Sequence, residues 1–298
     1  MSKLQTILII GSEGQLGQSF RSIEQKFTNY KFIFVSRDEC DLSNQLSISE
    51  FFENKQFEVV INCAAYTSVD RAETESDLAN QINHLAVKQL AEIAKLNESK
   101  FIHFSTDYVF NGDSKKPYLE SDNVEPLNIY GKTKLRGDEA IQQVLSNNSI
   151  IVRTSWVYSE HGNNFVKTIL KLGRERKELK VIYDQVGTPT YARDLAKAVM
   201  MIIQSKDFNA KKFKTNIFNF SNEGLCSWYD FAKKIIELDD ITCNLSPIST
   251  EEYSSPTIRP QNCVLDKAKI KKFFGLNIPH WEDSLKECIA ELKNLTVQ

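Results

Sequence analysis

The chain of 298 residues carries 41% apolar and 26% charged side chains, a globular mix with room for one large α/β domain and a smaller companion. Its formal net charge of −2 offers no overall basic field to nucleic acid or anionic lipid. The first apolar run, Ile7–Ile10, is too short for a signal-peptide core or a membrane span. The six cysteines form no CxxC pair, and the four histidines show no zinc-ligand spacing. A cytoplasmic protein with reduced thiols is expected.

In chain order, Ile7–Ile10, Lys31–Val35, Glu58–Asn62, Phe101–Ser105 and Ile150–Thr154 read as strands, apolar through most of their length as strands buried on both faces should be. Leu78–Leu96 between them has helical spacing, and a second helix covers about Asn128 to Val144. The alternation predicts βαβ units around a doubly wound parallel sheet, the Rossmann-like fold class. Beyond Ser155 the pattern loosens. Helices are expected at Phe165–Lys171, Leu195–Ile203, Trp228–Leu238 and Trp281–Leu292, with one strand at Ile217–Phe220. Residues 1–155 with about 188–220 are read as a dinucleotide-binding domain. Residues 156–187 with 221–298 are read as a smaller substrate-binding domain.

Gly11-Ser12-Glu13-Gly14-Gln15-Leu16-Gly17 follows the first strand and opens a helix. Glycines at this spacing allow a tight turn and close backbone approach to a pyrophosphate, which free N–H groups at a helix N-terminus can bind. The second strand ends at Val35-Ser36-Arg37-Asp38. A carboxylate there suits the ribose 2′-hydroxyl of NAD, and a guanidinium suits the 2′-phosphate of NADP. Arg37 lies nearer the strand end, which favours NADPH, with NADH as the alternative.

Tyr130 and Lys134 stand four residues apart on the predicted second helix and so share a face. A phenol with a pKa of about 10 is a sluggish proton donor, and a neighbouring ammonium is expected to lower it. Ser105-Thr106-Asp107-Tyr108 ends the fourth strand, at the sheet edge where ligands bind. The Thr106 hydroxyl there is placed to hydrogen-bond a carbonyl oxygen beside Tyr130. Capping of the following turn is its other reading.

Together these residues resemble the extended short-chain dehydrogenases/reductases, and more narrowly the dTDP-4-dehydrorhamnose reductase family. The stretches that carry the likeness are GSEGQLGQ, NCAAYTSVDRAE, STDYVFNG, PLNIYGKTKLRGDEA, RTSWVY, GNNFVKT and DQVGTPTYARDLA. A fainter match runs through SSPTIRPQNCVLD and PHWEDSLKECI almost to the C-terminus. The resemblance implies reduction of the C4 keto group of a dTDP-4-dehydro-6-deoxy sugar by NAD(P)H, the last step of dTDP-L-rhamnose synthesis. Tyr130 would protonate the C4 oxygen, Lys134 would tune Tyr130 and bind the nicotinamide ribose, and Thr106 would complete the acid site.

The same resemblance implies that Asn62, Cys63, Ala64 and Ala65 line the cofactor, with Asp41 and Leu42 near the adenine. Thr67, Val69, Asp107 and Tyr108 would meet the sugar, and Trp156 would wall its pocket. Phe165 and Trp228 read equally well as core aromatics. Asn164 and Arg259 would face the nucleotide or diphosphate end. Tyr66 occupies a position where the family often has histidine. Asn83 matches an asparagine that is structural or part of a proton relay.

Some members of the family bridge two subunits through magnesium held by glutamates. The corresponding positions here are read as Ser19, Arg193 and Glu282, and an arginine would repel the metal. No metal is expected, and the protein is read as a monomer or a homodimer without a metal bridge. Two other functions share these motifs. One is a nucleotide-sugar epimerase or a different keto-sugar reductase. The other is a non-catalytic NADP-binding partner, since the regulatory β-subunit of methionine adenosyltransferase is similar to the same family.

Overall fold

The computed structural model describes residues 4–253 and 255–297. Five strands, β1 (Gln5–Ile10), β2 (Tyr30–Val35), β3 (Val59–Asn62), β4 (Lys100–Thr106) and β5 (Ser149–Thr154), join Asn216–Asn219 in one sheet. Each begins one or two residues before its apolar run, because backbone pairing continues into polar neighbours; only β3 starts a residue later. The order across the sheet is Asn216–Asn219, β5, β4, β3, β1, β2, and every pairing is parallel.

Side chains on a strand alternate between faces, and both faces are covered. Ile7 and Ile9 enter a core with Phe20 of helix α1 (Gln15–Ile23) and with Leu195 and Val199 of the helix Ala192–Gln204. Leu8 and Ile10 point the other way, to Ile48 of helix α2 (Gln45–Phe52) and to Val87 and Leu90 of the helix Ala86–Leu96. Each fully buried Ile or Leu contributes about 1.5–3 kcal/mol relative to exposure.

The helix expected at Leu78–Leu96 starts at Ser76 and contains a π-turn, Gln81–Leu85. The helix that carries Tyr130 and Lys134 spans Ile129–Val144, and Asn128 caps it by accepting from Gly131 N at 2.8 Å.

The second half builds its own core from Val166, Leu179, Phe231, Ile235, Trp281 and Leu285. Its helices Phe165–Glu175, Trp228–Leu238 and Trp281–Val297 surround a parallel pair, Glu178–Ile182 with Asn244–Ile248, that sequence patterning did not predict. Pro247 interrupts the second of these strands and hid it; proline is tolerated in a two-stranded ribbon, where every strand is an edge. One segment departs from the expected division. Ile270, Leu276 and Ile278 pack into the sheet's own core beside Phe218, not into the second core.

The sequence of strand connections reverses direction between β1 and β3. Ligands of open parallel sheets bind outside the carboxyl ends at such a point. Gly11, Cys63, Thr106 and Trp156 all follow or end strands on that edge.

Candidate active site

The glycine turn is built for close approach. Gly11 takes a φ of +79°, and a Cβ there would lie 2.7 Å from Ala64 N, so the turn rests directly on the segment after β3. A Cβ at Gly17 would come within 2.4 Å of Gly11 O, which fixes α1 against the turn. Gly14 is the N-cap of α1 and supplies no side-chain cap, so the first N–H groups of the helix point outward unclaimed. This cradle, at the switch point, fits a dinucleotide diphosphate. Leu16 buries its side chain in the core, so only its backbone faces the turn.

Gly11, Arg37, Asp41, Leu42, Ala64 and Ala65 come together around a cleft of about 130 Å³. Ile82, from the π-turn, closes it and was not expected there. The Arg37 guanidinium pairs with Asp41 at 3.3 Å and is 72% exposed at the cleft mouth. Asp38 is exposed beside it. Cys63 bonds β1 through its backbone, N to Ile10 O at 2.9 Å, and its side chain packs against the sheet's core, away from the cleft.

A Cβ at Gly131 would sit 2.2 Å from Tyr108 O, so the Ile129–Val144 helix presses against the end of β4. That contact sets the rings of Tyr108 and Tyr130 edge to face, 5.7 Å apart. The Thr106 hydroxyl is a hydrogen-bond partner of Tyr130. It also caps the turn Asp107–Val109 by accepting from Tyr108 N at 3.2 Å, the capping reading of Thr106.

Lys134 behaves differently from expectation. It is buried, and its Nζ reaches into the sheet, 2.6 Å from Phe104 O and 3.1 Å from His103 Nε2. Burial pushes Lys134 down to about 8, with Asp138 opposing. Burial pushes Tyr130 up to about 12, opposed by the Thr106 hydrogen bond and reinforced by Asp107 and Asp138. The lowered phenol expected from a neighbouring ammonium is therefore not present in this state, because burial of the phenol outweighs the hydrogen bond that opposes it.

Asp107 is buried, donates nothing and accepts from Thr106 at 3.0 Å, while its Oδ2 has no partner. Burial pushes its carboxyl up to about 7, against hydrogen bonds from Cys263 and Thr106. An unpaired oxygen at this depth suits a substrate hydroxyl. Below Lys134, Asp138 is held by Ser105 at 2.8 Å and Arg153 at 3.4 Å. His103, Asp138, Arg153 and Cys263 lie outside the residues that motif reading singled out, because their partners are remote in sequence.

A larger cleft, about 710 Å³, opens in the second half between Phe165, Trp228 and Tyr253, with Arg176, Lys180 and Arg259 at its edges. The Arg259 charge opposes the rise that burial gives the Tyr108 phenol. Trp228 supplies the wall, and Trp156 stacks behind it at 3.5 Å and 12°. Trp156 adopts φ +47°, and a Cβ at Gly187 would strike its ring at 2.7 Å. A strained, tightly accommodated indole of this kind is typical of a functional site.

Thr67 is exposed on the loop after β3, and Val69 opens the short helix Val69–Ala72. The next residue, Asp70, grips Arg259. Asn164 lies between the second half and the glycine turn. Its Oδ1 caps the helix Phe165–Glu175, and its Nδ2 meets Gln15 Oε1 at 2.9 Å, beside the glycine turn. The carboxamide thus ties the second half to the cofactor cradle.

Asn83 is fully buried, accepting from Tyr66 N at 2.9 Å and donating to Tyr66 O at 3.0 Å and Thr133 Oγ1 at 3.2 Å. It clamps the loop after β3 to the Tyr130 helix. The Tyr66 hydroxyl donates to Glu75 at 2.7 Å. Ser19 is buried and bonds Gln15 O, whereas Arg193 pairs with Glu160, Glu287 and Glu291. Glu282 pairs with Lys234.

A dinucleotide cradle beside a Tyr/Lys pair and a strand-end hydroxyl defines an extended short-chain dehydrogenase/reductase. The family model described as RmlD substrate binding domain matches residues 5–294. The dTDP-4-dehydrorhamnose reductase of Aggregatibacter actinomycetemcomitans is 39% identical, over 95% of this chain and 98% of its own. The crystal structure of a Clostridium acetobutylicum dTDP-4-dehydrorhamnose reductase superposes with a TM-score of 0.90 at 40% identity, covering 97% of this chain and 100% of that one. The Bacillus anthracis enzyme of that name, in complex with NADP, gives a TM-score of 0.90 at 35% identity, with the same coverage. The chain belongs to the RmlD, or dTDP-4-dehydrorhamnose reductase, family.

Proposed function

We propose that this protein reduces the C4 keto group of dTDP-4-dehydro-L-rhamnose to give dTDP-L-rhamnose, with NADPH as reductant. The observation that carries the reading is the Tyr130 phenol, held in its protonated form beside Thr106 and Asp107 at the carboxyl end of β4. The cofactor cradle of Gly11, Gly14, Gln15, Leu16 and Gly17 lies on the same sheet edge. NADPH, when bound, supplies a hydride to C4.

The chain's own groups do the rest. Tyr130 Oη gives its proton to the C4 oxygen as electrons arrive, and Thr106 hydrogen-bonds the same locus. Asp107 Oδ2, with Tyr108, Thr67 and Val69, receives the sugar. Lys134 reaches the nicotinamide ribose only by turning its Nζ away from Phe104 O and His103. Arg37 accounts for a preference for the 2′-phosphate. Trp228, with Trp156 behind it, and Arg259 receive the nucleotide and its diphosphate. Residues 1–155 with about 188–220 form the cofactor part, to which 268–278 return, and the remainder forms the substrate part.

The test is deuterium transfer. With NADPH deuterated at nicotinamide C4, the product sugar is expected to carry deuterium at C4 and to form in step with cofactor oxidation. Interconversion of sugars with no net loss of NADPH would overturn the reading in favour of an epimerase. No turnover of any keto sugar would favour a non-catalytic partner.

A further inference from the structure

The Val35 carbonyl at the end of β2 accepts from both Gly11 N and Ser12 N at 3.0 Å, so the loop that follows lies directly against the glycine turn. Ser36 opens that loop. Its N–H and its Oγ both donate to one carboxylate oxygen, Glu39 Oε2, at 3.0 and 3.2 Å. Cys40 N returns to Ser36 O at 3.1 Å, and Cys40 lines the cofactor cleft with Arg37 and Asp41. The Glu39 carboxylate therefore occupies the first two donors of the loop that borders the cleft.

In this class of fold the residues just after the second strand read the 2′ position of the adenosine ribose. NADH presents a hydroxyl there, and NADPH presents a phosphate with a charge of about −1.5 to −2 at neutral pH. A phosphate dianion only accepts hydrogen bonds, so it needs donors. The loop offers the Arg37 guanidinium and the Ser36 N–H and Oγ, and Glu39 already holds the Ser36 pair. A phosphate has to displace a carboxylate that also repels it. A ribose hydroxyl meets no such contest, because it can donate to the carboxylate.

We propose that Glu39 is a specificity-determining residue, which competes with the 2′-phosphate for Ser36 and so restrains the NADPH preference that Arg37 creates. The inference rests on the reading of the glycine turn as the dinucleotide cradle.

Asp41 plays a different part. Its Oδ1 accepts from Ser43 N and Ser43 Oγ at 2.9 and 2.8 Å, and Arg37 balances its charge. Glu39 accepts from the neutral donors of Ser36, which leave its negative charge on the loop. A carboxylate that accepts from a serine three residues earlier is also an ordinary turn cap. The two roles separate on one point. A cap acts equally on both cofactors, whereas a competitor acts only on the one that bears the phosphate. Glu39 is exposed, so solvent screens its charge and the effect is a modest one.

The experiment is titration of the full-length protein with NADPH and with NADH, followed by nicotinamide fluorescence, to give the ratio of the two dissociation constants. Glu39→Gln keeps an acceptor for Ser36 and removes the charge. Its preference for NADPH is expected to rise about three- to tenfold, through tighter binding of NADPH with NADH unchanged or weaker. Ser36→Ala removes a donor, and its preference is expected to fall as NADPH alone binds more weakly.

An unchanged preference in Glu39→Gln, or equal shifts for the two cofactors, would overturn the proposal and leave Glu39 a turn cap. Undiminished NADPH affinity in Ser36→Ala would overturn it as well. Binding is read without any sugar, so absence of keto-sugar turnover would sink the reductase reading and leave this result standing. Failure of the unaltered protein to bind either cofactor would sink the cradle and the proposal together.

Discussion

Arg259 reaches across 189 residues of chain to hold both carboxylate oxygens of Asp70, at 2.8 and 2.9 Å. Both contacts come from Nη2, while Nη1 bonds Ser255, so the guanidinium is fixed between the loop after β3 and the wall of the larger cleft. Arg259→Lys keeps the charge and loses the planar group that reaches both partners at once. KM for the nucleotide sugar is expected to rise roughly tenfold, about 1.4 kcal/mol, with a smaller change in kcat. Asp70→Asn should raise KM by less, since Asp70 is half exposed. Steady-state kinetics decides, and a loss confined to kcat would argue against a binding role.

Gly11→Ala introduces a Cβ 2.7 Å from Ala64 N at a φ of +79°. The left-handed backbone alone costs a side-chain-bearing residue about 1–2 kcal/mol. Affinity for NADPH, measured by fluorescence titration, should fall about tenfold or more. Undiminished affinity would place the dinucleotide elsewhere.

Asp107 gives the protein a pH signature. Its folded pKa of about 7 lies above the unfolded value of about 3.9. Between those values the folded state binds more protons, so stability is fully present below about pH 4 and is lost as pH rises through 7. Asp107→Asn removes this term, and its melting temperature should fall less than the parent's between pH 5 and 8. Parallel melting curves would show that the carboxyl is ionised throughout.

The chain has three tryptophans, and two of them, Trp156 and Trp228, are stacked. Thymidine diphosphate is expected to quench the intrinsic fluorescence, and Trp228→Phe to remove most of that quench. Quenching left intact in Trp228→Phe would move the nucleotide out of this cleft.

Local pattern carried the sheet. Parallel strands buried on both faces announce themselves as apolar runs, and the glycine turn announces the switch point. The π-turn at Gln81–Leu85 was invisible because widening one turn changes no side-chain preference. The strand pair Glu178–Ile182 and Asn244–Ile248 was hidden by Pro247 and by lying 66 residues apart in register. Within the site, Tyr130, Thr106 and Asp107 were legible because each sits at a strand end or in the first turn of a helix. Asn164 caps a helix, a role that looks the same in sequence as ligand binding. His103 and Lys134, 31 residues apart, meet only because β4 and the following helix are packed together, and no spacing rule reports that.

The central claim is that Tyr130 donates the proton, and Tyr130→Phe tests it most directly. The variant should bind NADPH with unchanged affinity and lose about 10²–10⁴ in single-turnover rate with dTDP-4-dehydro-L-rhamnose. Turnover within a few fold of the parent would contradict the account, because some other group would then be protonating the sugar.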